Sequence, residues 1–145
     1  MWTEDYTREI VISNTASAAF RALTAEFGEW WTPISSPITK VGELVTFTFD
    51  ATHWTMRVLK LVAAECVELQ CIDAHHVHEG LPNSILKEWQ GTVLSWSIRA
   101  ENGRTRIGFV HKGLAPSLDC YEVCERGWDH YFVNCLKVYL DSSGS

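Results

Sequence analysis

His111 is the polar residue of this sequence that is best placed for chemistry. It follows Ile107 and Phe109 at alternating positions, which predicts that it projects from the inward face of a strand toward the lip of a cavity. An imidazole in that position acts as a general acid or base near neutral pH, or orients a polar group of a ligand. The alternative is a structural histidine that hydrogen-bonds the Lys112–Gly113 turn or the start of the last helix.

Two further groups have the side chains of metal ligands. His76 and His78 share one face if the chain is extended, and two imidazoles there would hold a divalent ion. Cys120 and Cys124 form a C-x-x-x-C pair within a helical stretch. Neither group has a third ligand at a fixed spacing. We therefore expect a solvated loop at the histidines, reduced thiols in the core, and no metal or other cofactor.

Aromatic residues are the unusual part of the composition, with 7 Trp, 6 Phe and 4 Tyr. Each buries roughly 150–250 Å², which together is more apolar lining than a small domain needs. Buried indole N–H groups also need partners, which a ligand or water would supply. The aromatic residues therefore predict a ligand-lined cavity, with a solid core as the alternative.

The elements that carry these residues follow from periodicity. A first strand spans Tyr6–Ser13, a short helix spans Ala16–Ala25, and a second helical piece carries Phe27 and Trp31. Asn102–Gly103 predicts a two-residue hairpin. Five further runs alternate apolar with polar residues, which predicts an antiparallel sheet covered on one face: Leu44–Phe49, Trp54–Leu61, Glu65–Asp73, Glu88–Arg99 and Thr105–His111.

The last segment, Pro116–Leu140, is predicted to be a long amphipathic helix with Ser117 as its N-cap. Its apolar stripe is centred on Cys124, Trp128 and Tyr131, and extends to Cys135. Gly127 lies beside this stripe at a cost of about 1 kcal/mol relative to alanine. It either permits the close approach of a strand or ligand or is a tolerated kink.

Length, charge and cysteine usage exclude several classes of protein. A single domain over residues 1–141 with a loose tail at 142–145 accounts for the 145 residues. The net charge of −6 and the lack of a basic cluster argue against nucleic-acid binding. The longest uncharged stretch is far shorter than the roughly 20 apolar residues of a membrane span. Charged residues near the start exclude a secretory signal, and five cysteines do not form a disulfide framework, so we expect a cytoplasmic protein.

This order of elements predicts an α+β helix-grip fold, in which a curved antiparallel sheet and a long C-terminal helix enclose a cavity. Several motifs resemble one family: the Trp30–Trp31 pair, Glu88–Thr92, Phe109–Leu114, and Cys120–Tyr121 with Cys124 and Gly127–Trp128. The family is the START-like (SRPBCC) superfamily, in the branch of homologues of the activator of the 90-kDa heat-shock protein ATPase. The resemblance covers essentially the whole chain and implies the same fold. Its members have diverse roles, so fold alone does not decide function.

We therefore expect a protein that binds an apolar or aromatic small molecule, including lipid-like ones, as a monomer or homodimer. Two alternatives are a cyclase- or hydrolase-type enzyme with His111 as acid/base, helped by Tyr131 or a pocket carboxylate, and a module that contacts a chaperone. The expected ligand-binding residues are those predicted to face the cavity: Trp31, Phe47, Phe49, Trp54, Met56, Leu69, Trp96, Phe109, His111, Cys124, Trp128, Tyr131 and Phe132.

Overall fold

A single antiparallel sheet holds the site residues in place. In a computed structural model, which describes residues 5–142, six strands are ordered β1-β6-β5-β4-β3-β2. The strands are β1 (Tyr6–Ile12), β2 (Leu44–Phe49), β3 (Thr52–Val62), β4 (Cys66–His75), β5 (Val93–Glu101) and β6 (Arg104–Lys112). Every neighbouring pair is antiparallel.

Helices cover one face of this sheet. Helix α1 spans Ala16–Ala22 and is capped by Thr15, whose hydroxyl accepts from the backbone N–H of Ala18; α2 spans Phe27–Trp30. A 3-10 helix, Asn83–Lys87, lies between β4 and β5. Residues 121–142 form one continuous C-terminal helix, made of α3 (Tyr121–Trp128), a π-helical segment (Asp129–Leu136) and α4 (Lys137–Ser142). The predicted helix-grip fold is confirmed.

Alternation along the strands places the apolar side chains against the helices. On β3 the side chains of Trp54, Met56 and Val58 are buried, and on β6 those of Ile107 and Phe109 are buried. The predicted hairpin at Asn102–Gly103 is also present, with φ of 51° and 79° at its two central residues. Positive φ at both positions is what a type I′ turn requires.

The structure corrects the predicted run Glu88–Arg99 and the predicted start of the last helix. Strand β5 starts at Val93 rather than Glu88, because Gly91 has a φ of 91° and breaks the extended backbone. The last helix starts at Tyr121, so Ser117 is not its N-cap. Glu88 replaces that cap, since its carboxylate accepts from the backbone N–H groups of Asp119 (3.0 Å) and Cys120 (2.9 Å).

The loose tail was predicted to start at residue 142, but Ser142 is still helical. Its hydroxyl donates to the Val138 carbonyl at 2.6 Å. Residues 143–145 lie outside the described residues. Within the described residues, no helix combines the length and the hydropathy needed to cross a bilayer.

Candidate functional site

A pocket of about 300 Å³ opens at one end of the helix-grip, where β2, β3 and the segment after β4 face the first turns of α3. Most of its wall is apolar or aromatic, with a few polar side chains among the lining residues, as is typical of small-molecule sites. The residues that line it are Trp31, Phe49, Thr52, Trp54, His76, Val77, His78, Trp89, Val123, Cys124, Arg126, Gly127, Trp128 and Tyr131.

Four indoles form a closed ring in this wall, which we call the tryptophan ring: Trp31, Trp54, Trp89 and Trp128. Successive ring centroids are 5.7 Å (Trp31–Trp54), 4.3 Å (Trp54–Trp89), 6.0 Å (Trp89–Trp128) and 4.7 Å (Trp128–Trp31) apart. Trp54 and Trp89 are stacked with an interplanar angle of 17°. Each indole comes from a different part of the chain, so only the folded protein assembles this surface.

The indole N–H groups of the ring have different partners. Trp89 donates to the Cys124 sulfur at 3.2 Å, and Trp128 donates to Nδ1 of His111 at 3.0 Å. The N–H of Trp54 is buried and donates to no group in residues 5–142. A buried N–H without an acceptor is destabilising. A ligand with an acceptor atom that reached the Trp54 N–H would remove this cost.

His111 lies beneath the tryptophan ring rather than at the pocket lip. Its side chain has no exposed surface, and its ring meets that of Trp89 edge to face with centroids 4.6 Å apart. Because Trp128 donates to Nδ1, the ring proton resides on Nε2, which donates to the Thr92 hydroxyl at 3.0 Å. Thr92 in turn donates to the Trp89 carbonyl at 2.6 Å.

Burial lowers the pKa of His111 to about 3, so the imidazole is neutral at physiological pH. Both of its nitrogens are engaged within the protein. The expected placement at the cavity lip is therefore wrong, and the structural alternative is closer to the observed geometry, although the partners are Thr92 and Trp128 rather than the Lys112–Gly113 turn.

The residues expected to bind ligand separate into two groups. Six line the pocket: Trp31, Phe49, Trp54, Cys124, Trp128 and Tyr131. The other seven have no exposed surface and fill a solid core deeper between sheet and helix: Phe47, Met56, Leu69, Trp96, Phe109, His111 and Phe132. Alternation identifies which face of a strand is inward, but it does not distinguish the closed middle of that face from its open end.

Aromatic contacts show how the deeper part is closed. The ring centroid of Phe109 lies 4.9 Å from that of Trp96 and 5.2 Å from that of Phe132, and Phe27 meets Phe47 at 4.8 Å. Rings at these separations leave no room for a ligand between them. The interior between sheet and helix is thus a solid core, and the pocket lies at its open end.

The histidine-rich segment after β4 is packed against the protein, so the expectation of a solvated loop is wrong at His76. This side chain is buried, with 6% exposure, and its backbone N–H donates to the Leu86 carbonyl at 3.1 Å. The Thr52 hydroxyl holds the next residue, Val77, through both its N–H and its carbonyl. His78 is exposed, and its Nδ1 lies 2.8 Å from the Glu79 carbonyl. The two histidines therefore differ in burial, although both line the pocket.

Two important wall residues, His76 and Trp89, were not expected to bind ligand. His76 follows β4, outside any predicted alternating run. Trp89 falls in the part of the predicted run Glu88–Arg99 that precedes β5, so alternation along that run did not indicate its inward orientation. Gly127 also lines the pocket, and a Cβ atom built on it would meet no atom within 4 Å. No strand approaches this glycine; the space beside it is the pocket itself.

No protein-family model and no curated protein matches the chain. Solved structures do. The solution structure of the Aha1 dimer from Colwellia psychrerythraea is 25% identical, with a TM-score of 0.74 over 95% of this chain and 96% of that one.

Two further structures share the fold at lower identity. Protein MLL2253 from Mesorhizobium loti is 18% identical, with a TM-score of 0.79 over 98% of this chain and 100% of that one. DynU16, a putative protein in the dynemicin biosynthetic locus, is 14% identical, with a TM-score of 0.74 over 97% of this chain but 48% of that one.

A curved six-stranded sheet gripping a C-terminal helix, with a pocket at one end, defines the START-like class. The chain has the fold of the START-like (SRPBCC) superfamily. Within it, the chain is similar to Aha1, the activator of Hsp90 ATPase, which is the branch that its motifs resemble.

Proposed function

We propose that this protein binds a small aromatic molecule in the pocket at the end of the helix-grip. The observation that carries the proposal is the tryptophan ring, which presents indole surface to a space of about 300 Å³. Ligand sites generally span about 300–1,000 Å³, so this pocket suits a compact ligand of one or two fused rings. Flat ring faces stack favourably on indoles, which gives such a ligand an advantage over a flexible chain.

Charge at the rim narrows the ligand class. Arg126 lines the pocket and is exposed, and no Asp or Glu is among the lining residues of the described chain. A guanidinium attracts an anionic group and repels a cation. An aromatic ring with a carboxylate or phenolate therefore fits better than an ammonium, despite the aromatic wall that ammonium ligands favour elsewhere.

The proposal is tested by isothermal titration calorimetry with three probes that share one ring system. These are 2-naphthoate, 2-naphthol and 2-naphthylmethylammonium. We expect saturable 1:1 binding that is tightest for naphthoate and weakest for the ammonium. Substitution Arg126→Gln should weaken naphthoate to the level of naphthol while leaving naphthol unchanged.

A second variant tests the location. Gly127→Leu places a side chain in the open space of the pocket and should abolish binding of all three probes. Val138→Leu, at an exposed position of the same helix, is the matched control and should bind as the unmodified protein does. Lack of saturable heat with every probe, or binding that survives Gly127→Leu, would contradict the proposal.

Burial of His111 favours binding over an enzymatic function that uses this residue. A cyclase- or hydrolase-type reaction needs an acid or base within reach of the ligand, and His111 is closed off by Trp89 and Trp128.

We also propose a reducing, cytoplasmic location, because all five cysteines are free thiols.

Similarity to the Aha1 dimer favours a second candidate function, that of a chaperone-interacting module that self-associates. Sedimentation of the purified protein, alone and mixed with a purified 90-kDa heat-shock protein, tests both parts. A monomer that does not co-sediment would eliminate this candidate without affecting the ligand proposal.

A further inference from the structure

Three potential metal ligands from distant parts of the sequence meet in the wall of the pocket. His76 follows β4, Cys120 is the N-cap of α3, and Cys124 lies in the first turn of that helix. The ligating atoms, one from each side chain, all lie within 4.8 Å of one another. The exposures are 6% for His76, 0% for Cys120 and 6% for Cys124.

Their hydrogen bonding leaves ligand capacity unused. Nδ1 of His76 is buried and has no hydrogen-bond partner in residues 5–142, which is rare for a buried imidazole nitrogen. The Cys124 sulfur accepts the indole N–H of Trp89 at 3.2 Å, as outer donors do toward thiolate ligands of metals.

The spacing fits a tetrahedral ion after a small contraction. Zn–S bonds of about 2.3 Å and Zn–N bonds of about 2.0 Å place tetrahedral ligand atoms roughly 3.5–3.8 Å apart. Atoms within 4.8 Å of one another need to approach by about 1 Å to reach that geometry. Residues i and i+4 of a helix lie on one face, so Cys120 and Cys124 present their sulfurs to the same point.

The net charge of the three ligands favours a divalent over a monovalent cation at this buried site. Two thiolates and a neutral imidazole carry −2, which a divalent cation neutralises and Cu⁺ does not. A neutral cluster avoids the large cost of burying an uncompensated charge. Thiolate and imidazole together are also the ligands that Zn²⁺ prefers.

We propose that His76, Cys120 and Cys124 bind one Zn²⁺ ion as a Cys₂His site. Binding releases the two thiol protons to solvent. His76 and Cys124 also line the pocket, so the fourth coordination position faces the pocket, as in sites that keep one position for water or substrate. The spacing within either sequence segment gave no such prediction, because Cys120 lies 44 positions after His76.

The test is titration of the reduced, chelator-treated protein with Co²⁺ as a spectroscopic probe. We expect one equivalent to produce a thiolate-to-cobalt charge-transfer band in the near ultraviolet, and one equivalent of Zn²⁺ to remove it. Cys120→Ser and Cys124→Ser should lose the band. His76→Gln should retain thiolate character with weakened affinity. Trp89→Phe, which keeps an aromatic ring but removes the N–H donor, should weaken affinity about 10- to 100-fold.

Controls come from the same chain. Cys135→Ser lies on the same helix outside the cluster and should bind normally. His75→Gln tests the competing surface pair His53–His75, whose ring centroids are 5.4 Å apart. The titration uses no organic ligand, so its outcome is independent of the naphthoate experiment.

Circular dichroism establishes whether each variant is folded. If the cysteine variants do not fold, the cobalt affinities of the His76 and Trp89 variants decide whether this cluster binds the metal ion. A charge-transfer band that persists at full strength in Cys120→Ser, or cobalt binding lost only in His75→Gln, would overturn the proposal. So would a lack of any thiolate band at stoichiometric Co²⁺.

Discussion

A single histidine joins three elements of the core through oriented hydrogen bonds. Trp128 of α3 donates to His111 of β6, His111 donates to Thr92, and Thr92 donates to the Trp89 carbonyl. Trp128 can only donate and the Trp89 carbonyl can only accept, while His111 and Thr92 each accept one hydrogen bond and donate one, so the direction of every hydrogen bond is fixed. The network holds two members of the tryptophan ring in place, which makes His111 a positioning residue for the pocket wall.

Replacement of His111 by phenylalanine should destabilise the protein although it retains a ring of similar shape. The substitution leaves the buried Trp128 N–H without an acceptor. It also removes the N–H group that donates to the Thr92 hydroxyl. An unsatisfied buried polar group costs about 1–3 kcal/mol, and urea denaturation should show a loss of that size. His130→Phe, at an exposed position, should change the free energy of unfolding by less than about 0.5 kcal/mol. Equal stability of the His111 variant and the unmodified protein would contradict this account.

The same histidine should make stability fall in mild acid. Its folded pKa is lowered to about 3 from 6.5, so between these values the unfolded chain binds the proton more readily. Stability therefore rises with pH across this window, is fully present above about pH 6.5, and is lost as the pH falls toward 3, with a slope of up to about 1.4 kcal/mol per pH unit.

His111→Gln, which does not titrate, isolates this contribution. The difference in free energy of unfolding between the two proteins should narrow steadily from pH 7 to pH 5, measured by urea denaturation at each pH. A difference independent of pH would show that another group is responsible.

The C-terminal helix shows how an element departs from its sequence pattern. Buried positions recur every four residues, at Cys120, Cys124, Trp128, Phe132, Leu136 and Leu140. The ideal helical period centred the predicted stripe on Cys124, Trp128, Tyr131 and Cys135, with Phe132 at its edge, but Tyr131 and Cys135 are only partly buried. In the π-helical segment Asp129–Leu136, wider i→i+5 turns shift the buried face from residue 131 to residue 132. Periodicity alone does not report such a segment.

Glu88 should stabilise the start of this helix from outside it. Its carboxylate accepts two backbone N–H groups, at Asp119 and Cys120, where the helix dipole also favours negative charge. Glu88→Ala should therefore lower the free energy of unfolding by about 1 kcal/mol, the usual effect of losing a cap. Glu65→Ala, at an exposed glutamate, is the control and should have little effect. Denaturation by urea measures both, and equal effects would remove the capping role.

What the sequence predicts well is local. Strand faces such as Trp54–Met56–Val58, the Asn102–Gly103 hairpin and the existence of a long last helix follow from short-range patterns, and the structure has them. The capping of Asp119 by Glu88 and the approach of His76 to Cys120 join residues more than 30 positions apart. These contacts depend on how loops close over the sheet, which no periodicity describes.

At the scale of the whole molecule, the protein is closed at its middle and open at one end. Trp96, Phe109 and Phe132 make the interior solid, while the first strand is held to the C-terminal helix by Tyr6 and Arg8, both bonded to Asp129 at 2.7 and 2.9 Å. The guanidinium of Arg8 also lies 4.4 Å from the Tyr6 ring centroid. A rigid body of this kind retains its pocket without ligand, so ligand binding should add stability rather than reorganise the fold.

This architecture predicts opposite responses of two substitutions at one glycine. Gly127→Ala should raise the free energy of unfolding by up to about 1 kcal/mol, because alanine favours the helix and its Cβ meets no atom within 4 Å. A saturating probe should stabilise this variant and the unmodified protein alike, by about 2.7 kcal/mol at 100 times the dissociation constant. Gly127→Leu fills the pocket and should show no such shift with 2-naphthoate. Thermal unfolding with and without the probe measures all three proteins. If Gly127→Leu were stabilised as strongly as the others, the probe would bind outside the tryptophan ring and the pocket would not be the ligand site.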